Sequence, residues 1–242
     1  MVQESSRMSD DKHRRCPVCG DPLDKVRIVK NVCDVCGKEF SSEDVCRKGH
    51  KVCPECRASM TVDTIDRICT STKSRNPYEI LVEIISEPPM RMHDVRHHMA
   101  VGSALLAAYR NSGGAADFDN ALKEIQKRGG SAPPGACGFI GNCGAAVSTG
   151  AFYSVVTEAS PYSKGPQWGD PNLLTGKCLI AMSEVGGPRC CKRNSFIAMG
   201  IAVEQVKEKL GIAMEYPEKI ECGFSDRNEE CIEERCPFYV KK

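Results

Sequence analysis

Long hydrophobic runs are absent from this 242-residue chain. Nothing apolar extends for the roughly 18 residues a membrane-spanning helix needs, so a helical membrane protein is excluded. The first fifteen residues, MVQESSRMSDDKHRR, are polar and lack an apolar stretch, so neither a signal peptide nor an anchor is expected there. Charge of one sign is missing as well. Lys plus Arg number 33 and Asp plus Glu 32. Without a basic surplus there is nothing to release counterions from nucleic acid or to meet anionic lipid, which argues against a general nucleic-acid binder and a membrane-surface protein. What is abundant is cysteine, at sixteen residues. With no secretion route evident, the expected setting is a reducing, cytoplasmic one, where thiols serve as metal ligands or reagents rather than as disulfides.

The composition divides the chain. Residues 1–12 are expected to be a disordered tail, residues 13–69 a zinc-binding module, and residues 77–242 an α-helical Cys-rich domain. The segment 16–69 holds half of the cysteines but few large aliphatics, so it cannot build an apolar core of its own. Residues 69–76, CTSTKSRN, read as a polar linker. Beyond them apolar residues recur at helical spacing. Asn76 and Pro77 form a cap and first-turn signal ahead of Ile80, Leu81, Ile84 and Ile85, and Pro88 and Pro89 end that helix. Further helices are expected over residues 94–110, 119–127, 143–159, 171–184 and 195–210, with Gly211 as a stop. Strand character is confined to residues 26–32. The expected fold class is mostly α with a small β-containing zinc-binding N-terminal module and an α-helical C-terminal domain.

The N-terminal cysteines carry the most specific signal. They read Cys16-x2-Cys19-Gly, Cys33-x2-Cys36-Gly, Cys46-x3-His50 and Cys53-x2-Cys56. A Cys-x2-Cys-Gly knuckle lets one tight turn offer two thiolates to one ion, because the turn aims amides at the sulfurs and Gly accepts the positive φ. Eight ligands make two tetrahedral sites, for which zinc is the natural occupant, and binding would supply the folding energy of the segment at roughly 10 kcal/mol or more per site. Two pairings are open. A sequential one joins Cys16, Cys19, Cys33 and Cys36 as a zinc ribbon and Cys46, His50, Cys53 and Cys56 as a second site; a crossed, RING-like one joins the first knuckle to Cys46 and His50 and the second to Cys53 and Cys56. The single hairpin that fits between the knuckles favours the sequential form. A closed site has no open coordination position, so its role is structural or recognitional.

The remaining cysteines sit differently. Residues 135–146, GACGFIGNCGAA, place Cys137 and Cys143 among glycines ahead of a helix, and residues 186–193, GGPRCCKR, place Cys190 and Cys191 among cations ahead of another. Helix starts and glycine-rich backbone favour bound anions, and Arg189, Lys192 and Arg193 are expected to lower the pKa of the paired thiols. Cys137, Cys143, Cys190 and Cys191 are therefore the candidate ligands of an iron–sulfur cluster or another thiophilic metal, with one of the vicinal pair left as a nucleophile or both joined as a strained disulfide. Cys178, on a helix, reads as packing. His93 and His97 are four apart, at ligand spacing; His97 and His98 are the candidate proton carriers. Cys222, Cys231 and Cys236 form a three-ligand tail in want of a fourth ligand, or else serve in packing.

Taken in order, these motifs, with HDVRHHMAVGSALLAAY between the two halves, resemble an uncharacterised Cys-rich family of anaerobic archaea and bacteria catalogued as a domain of unknown function. The resemblance runs from Cys16 to about Leu210 and rests on the eight N-terminal ligands with His97, His98, Cys137, Cys143, Cys190 and Cys191. In some relatives a similar domain stands beside a methyltransferase domain, which makes a methyltransferase the protein partner that the resemblance implies for the zinc module. The family brings no established activity. Two functions follow from the residues. One is a metal-binding protein with two structural zinc ions and a helical thiol site for redox, sulfur-transfer or cofactor-maturation chemistry. The other is a zinc-stabilised adaptor that serves a methyltransferase without catalytic activity of its own.

Overall fold

The computed structural model describes residues 14–241; the expected disordered tail, and His13, lie outside the described residues. The chain runs β1 (Leu23–Val32), β2 (Glu39–Cys46), α1 (Pro54–Ser71), α2 (Pro77–Ser86), α3 (Arg96–Asn111), α4 (Phe118–Gly129), α5 (Ala136–Phe139), α6 (Gly144–Val156), α7 (Pro166–Val185) and α8 (Cys191–Leu210), then two 3-10 turns at Ser225–Arg227 and Glu233–Arg235. The fold is mostly α, with a small β hairpin among the N-terminal ligands.

The hairpin is antiparallel, with Leu23 opposite Cys46 and Val32 opposite Glu39. The sequence reading lacks β2 because its inward positions include Ser42 and Asp44. Burial alternates along the strand although hydrophobicity does not. Arg14 closes this edge on Asp44 at 2.6 Å.

Helix α1 is a second departure from the expectation. Pro54 occupies its first turn and the sulfur of Cys53 caps it, accepting from the amide of Cys56. Thr61, Ile65, Ile68 and Cys69 then face inward at helical spacing. Residues 69–71 thus close a helix, and the irregular connection begins at Thr72. Arg110 and Asn111 of α3 pin that connection, donating to the carbonyls of Cys69, Thr72 and Ser74.

Asn76 caps α2 as its sequence predicts, accepting from the amides of Tyr78 and Glu79. Helix α3 lies at the centre, against α1, α2, α4, α6 and α8, and α6 lies against α3, α4, α7 and α8. Both carry many Ala, Gly and Ser residues, which lets backbones approach. At Gly102 a Cβ would stand 2.5 Å from Ile125 of α4, while the Gly102 amide donates to Ser148 Oγ of α6 at 2.9 Å. Helix α7 starts at Pro166, ahead of the expected residue 171, because Pro166 fills the first turn and Pro171 lies only five residues further on, where few helical hydrogen bonds are forfeited.

After Gly211 the chain folds back as irregular structure. The Arg75 guanidinium donates to the Ala213 carbonyl and the Glu215 amide donates to the Arg75 carbonyl. Tyr216 donates to the Phe196 carbonyl at 2.6 Å, and edge-on contacts of Tyr216 with Tyr78 at 6.4 Å and of Phe238 with Phe196 at 5.6 Å fasten the segment to α2 and α8. This return brings the C-terminal cysteines to the N-terminus of α8.

Candidate functional site

The eight N-terminal ligands converge as two quartets, Cys16, Cys19, Cys46 and His50, and Cys33, Cys36, Cys53 and Cys56, each with its ligand atoms within 4.8 Å of one another. Each quartet can hold a metal ion. The pairing is the crossed one, which corrects the sequential expectation. The physical reason is the hairpin itself. The first knuckle precedes β1 and the second forms the turn between the strands, so the full length of β1 separates them. The returning strand ends at Cys46, whose sulfur lies 3.7 Å from that of Cys19 and 3.6 Å from His50 Nδ1. Residues 51–53 then cross to the second knuckle: Asp34 N donates to Lys51 O at 2.8 Å, and Cys36 and Cys53 sulfurs stand 3.8 Å apart. The Cys53 amide, donating to Cys33 Sγ at 3.3 Å, holds the Cys33 thiol down to about 6, as an amide aimed at a thiolate does.

In the helical domain the N-terminus of α8 is the organising point. Cys190 is its N-cap, with Sγ accepting from the Arg193 amide at 3.5 Å, and Cys191 is its first residue. The two side chains enter different spaces. Cys191 lines a cleft of about 50 Å³ with Cys137, His93, His98, Asp94 and Arg189. Cys190 lines another cavity with Cys222, Cys231 and Cys236. All sixteen cysteines are free thiols.

The cleft gathers residues from three loops. Cys137 comes from the short α5, entered through Gly135 at φ 77°, and Cys143 caps α6, its sulfur accepting from Asn194 Nδ2 at 3.3 Å. Cys143 is close enough that its charge would raise the pKa of both Cys137 and Cys191. His98 stacks on the bare backbone of Gly144, where a Cβ would lie 2.2 Å from the ring. Its Nδ1 is buried without a hydrogen-bond partner, as is Nδ1 of His93. His93 Nε2 meets Asn228 Oδ1 at 3.0 Å. His97 is wholly buried, with Nδ1 on the Asp94 carbonyl at 3.0 Å. His93 precedes α3, so the expected His93–His97 ligand pair on one helical face does not form. Burial lowers the pKa of all three imidazoles, leaving them neutral bases at neutral pH.

The expected activation of the vicinal thiols by their cations does not occur at Cys191, whose thiol is pushed up to about 12 by burial. The cations are engaged elsewhere. Lys192 Nζ donates to the carbonyls of Arg91 and Met92, Arg193 to those of Gly186 and Pro188, and Arg189 pairs with Glu230. Cys178 is buried in α7, its thiol 3.9 Å from the Ala198 carbonyl, a packing position. The sequence left Cys222, Cys231 and Cys236 without a fourth partner, because no local spacing links them to Cys190 across all of α8 and the irregular return.

A family model described as a family of unknown function (DUF5714) matches residues 65–239. The chain belongs to that family. The match begins within α1, after the last of the eight N-terminal ligands, and extends past Leu210 to take in Cys222, Cys231 and Cys236. Both thiol-lined spaces at the start of α8 therefore fall inside the DUF5714 span, and both N-terminal quartets fall outside it. Neither the curated proteins nor the solved structures include a match to this chain.

Proposed function

We propose that this DUF5714 member is a metal protein in which two structural zinc ions fold the N-terminal module and the helical domain carries a thiolate-held iron–sulfur cluster or soft metal for redox, sulfur-transfer or cofactor-maturation chemistry. The observation that carries the reading is the divergence of Cys190 and Cys191 at the start of α8 into two adjacent thiol-lined spaces. One space gathers four thiols among largely apolar walls. The other sets the thiols of Cys191 and Cys137 in one cleft with the imidazoles of His93 and His98, where burial keeps the thiols protonated and the imidazoles neutral. Zinc in the quartets is supported by their size: a Zn–S bond of about 2.3 Å sets tetrahedral S–S edges of about 3.8 Å, against 3.7 and 3.8 Å for Cys19–Cys46 and Cys36–Cys53.

The test is metal and acid-labile sulfide stoichiometry on the full chain prepared without oxygen. Close to two zinc ions per chain, with iron and sulfide in addition, is the expected result. Zinc alone, with neither iron nor another thiophilic metal after anaerobic reconstitution, overturns the assignment for the helical domain.

A further inference from the structure

The cavity beside Cys190 has the construction of a cluster site. Its four cysteines come from distant parts of the chain, Cys190 from the cap of α8 and Cys222, Cys231 and Cys236 from the irregular return, and no disulfide joins them. The walls between the sulfurs are apolar, formed by Met92, Phe196, Phe224 and Phe238 among others. Four thiols have no packing reason to face one another in such a setting, and they share no hydrogen bond of the kind seen in the N-terminal quartets.

Spacing separates this set from a single-ion site. Among the described residues, the groups whose ligand atoms lie within 4.8 Å of one another are the two N-terminal quartets. Cys190, Cys222, Cys231 and Cys236 line a shared space without any three of their sulfurs lying that close together. A cubane cluster holds its thiolates at its corners, farther apart than the ligands of one ion, and is held by four cysteines.

Donors are also in place for an anion. The Phe224 amide donates to Cys222 Sγ at 3.4 Å, the Arg193 amide to Cys190 Sγ at 3.5 Å, and Asn228 Nδ2 lies 3.7 Å from Cys190 Sγ. Hydrogen bonds to cluster sulfurs of this kind set stability and potential. The guanidinium of Arg193 lines the cavity, is 3% exposed, and keeps Nη1 buried without a hydrogen-bond partner. A buried charged donor left unsatisfied costs free energy unless an acceptor enters.

We infer that Cys190, Cys222, Cys231 and Cys236 ligate a [4Fe–4S] cluster whose negative charge is met by Arg193. The inference rests on the proposal above that the helical domain carries a thiolate-held cluster or soft metal, and it replaces the ligand set read from the sequence. Cys191, Cys137 and Cys143 are then not ligands but neighbours, with the cluster one residue away from the Cys191 thiol.

The experiment compares anaerobically reconstituted full-length variants by iron, sulfide and zinc content, electron paramagnetic resonance after reduction, and circular dichroism. Wild type is expected to hold roughly four iron and four sulfide per chain beyond its zinc. The double variant Cys231→Ser/Cys236→Ser loses both while zinc and helicity persist, and the triple variant Cys137→Ser/Cys143→Ser/Cys191→Ser keeps them. Arg193→Met retains the cluster but lowers its reduction potential, since a nearby positive charge favours the added electron. Iron lost from the triple variant and kept by the double one overturns this ligand set and leaves the proposed function standing. Two zinc ions with no iron, sulfide or other thiophilic metal in wild type overturns both, and a further single ion lost with Cys231→Ser/Cys236→Ser, without sulfide, overturns the cluster alone.

Discussion

His98 owes its position to the absence of one methyl group. Its ring lies against Gly144, and a Cβ there would come within 2.2 Å of the imidazole, so Gly144→Ala must push the ring into the cleft it lines with Cys137 and Cys191. Forcing atoms into a packed site costs about 1–3 kcal/mol. A fall of that size in unfolding free energy, measured in denaturant with a displaced His98 ring resonance, is the expected outcome; an unshifted ring would remove the stacking argument. His97 makes a different prediction. Burial, reinforced by the charge of Lys192 from α8 and of His93 and His98 beside it, holds its pKa well below the ordinary value of 6.5. Below pH 6.5 the unfolded chain takes up a proton that native His97 refuses, so its contribution is full above that pH and falls away on acidification, by about 1.4 kcal/mol per pH unit. Melting temperatures at pH 7.5 and 5.5 should therefore differ more for wild type than for His97→Gln. Equal differences would show that His97 is not the titrating group.

At the scale of elements, the hairpin is the part expected to depend on metal. Val26, Ile28, Val29 and Val32 of β1 are all exposed, and a two-stranded ribbon without an apolar face is marginal at best in water. Metal ligation at both ends would hold it, through Cys16, Cys19, Cys46 and His50 at one and Cys33, Cys36, Cys53 and Cys56 at the other. A strong chelator should release about two zinc ions per chain and open residues 20–52 to proteolysis while the fragment from α1 onward resists. Uniform loss of protection would mean that the helical core also needs those ions. The elements themselves were unevenly legible in the sequence. Helices α2 and α8 carry their own stops and caps, Asn76–Pro77 and Gly211, and could be read directly. Helix α1 could not, because its first turn is made of metal ligands and its inward face, Thr61, Ile65, Ile68 and Cys69, is thin in large apolar residues. The eight N-terminal ligands announce themselves by spacing, but which of them share an ion depends on where β2 ends. Cys190 and the C-terminal cysteines meet where the return segment is fastened on Phe196 by Phe238 and by the Tyr216 hydroxyl, contacts that no local pattern encodes.

For the whole molecule, the question is how the metal module is joined to the helical core, and a single buried arginine carries much of the joint. Arg57 of α1 is 9% exposed. Its guanidinium donates to the Arg15 carbonyl beside the first knuckle and, at 3.4 Å, to the Pro89 carbonyl between α2 and α3. Thr61 also donates to Pro89 O at 3.3 Å, and Gly20 of the first knuckle faces the ring of Pro88. Burial lowers the Arg57 pKa to about 10, which still leaves it charged at neutral pH. Arg57 thus ties the backbone beside the first knuckle to the loop that ends α2 and leads, through Met92 and His93, to the thiol cleft. Arg57→Met keeps most of the apolar stem and removes the bonds to both carbonyls, a loss of about 1–3 kcal/mol when buried acceptors are left without donors. It should also loosen the coupling. In wild type, chelation is expected to lower the melting temperature of the helical domain, since knuckle, Arg57 and Pro88–Pro89 form one packed contact; in Arg57→Met that chelator-induced shift should shrink toward zero while zinc stoichiometry stays near two. An undiminished shift in the variant would place the coupling elsewhere along α1, whose Ile65 and Ile68 reach the core directly.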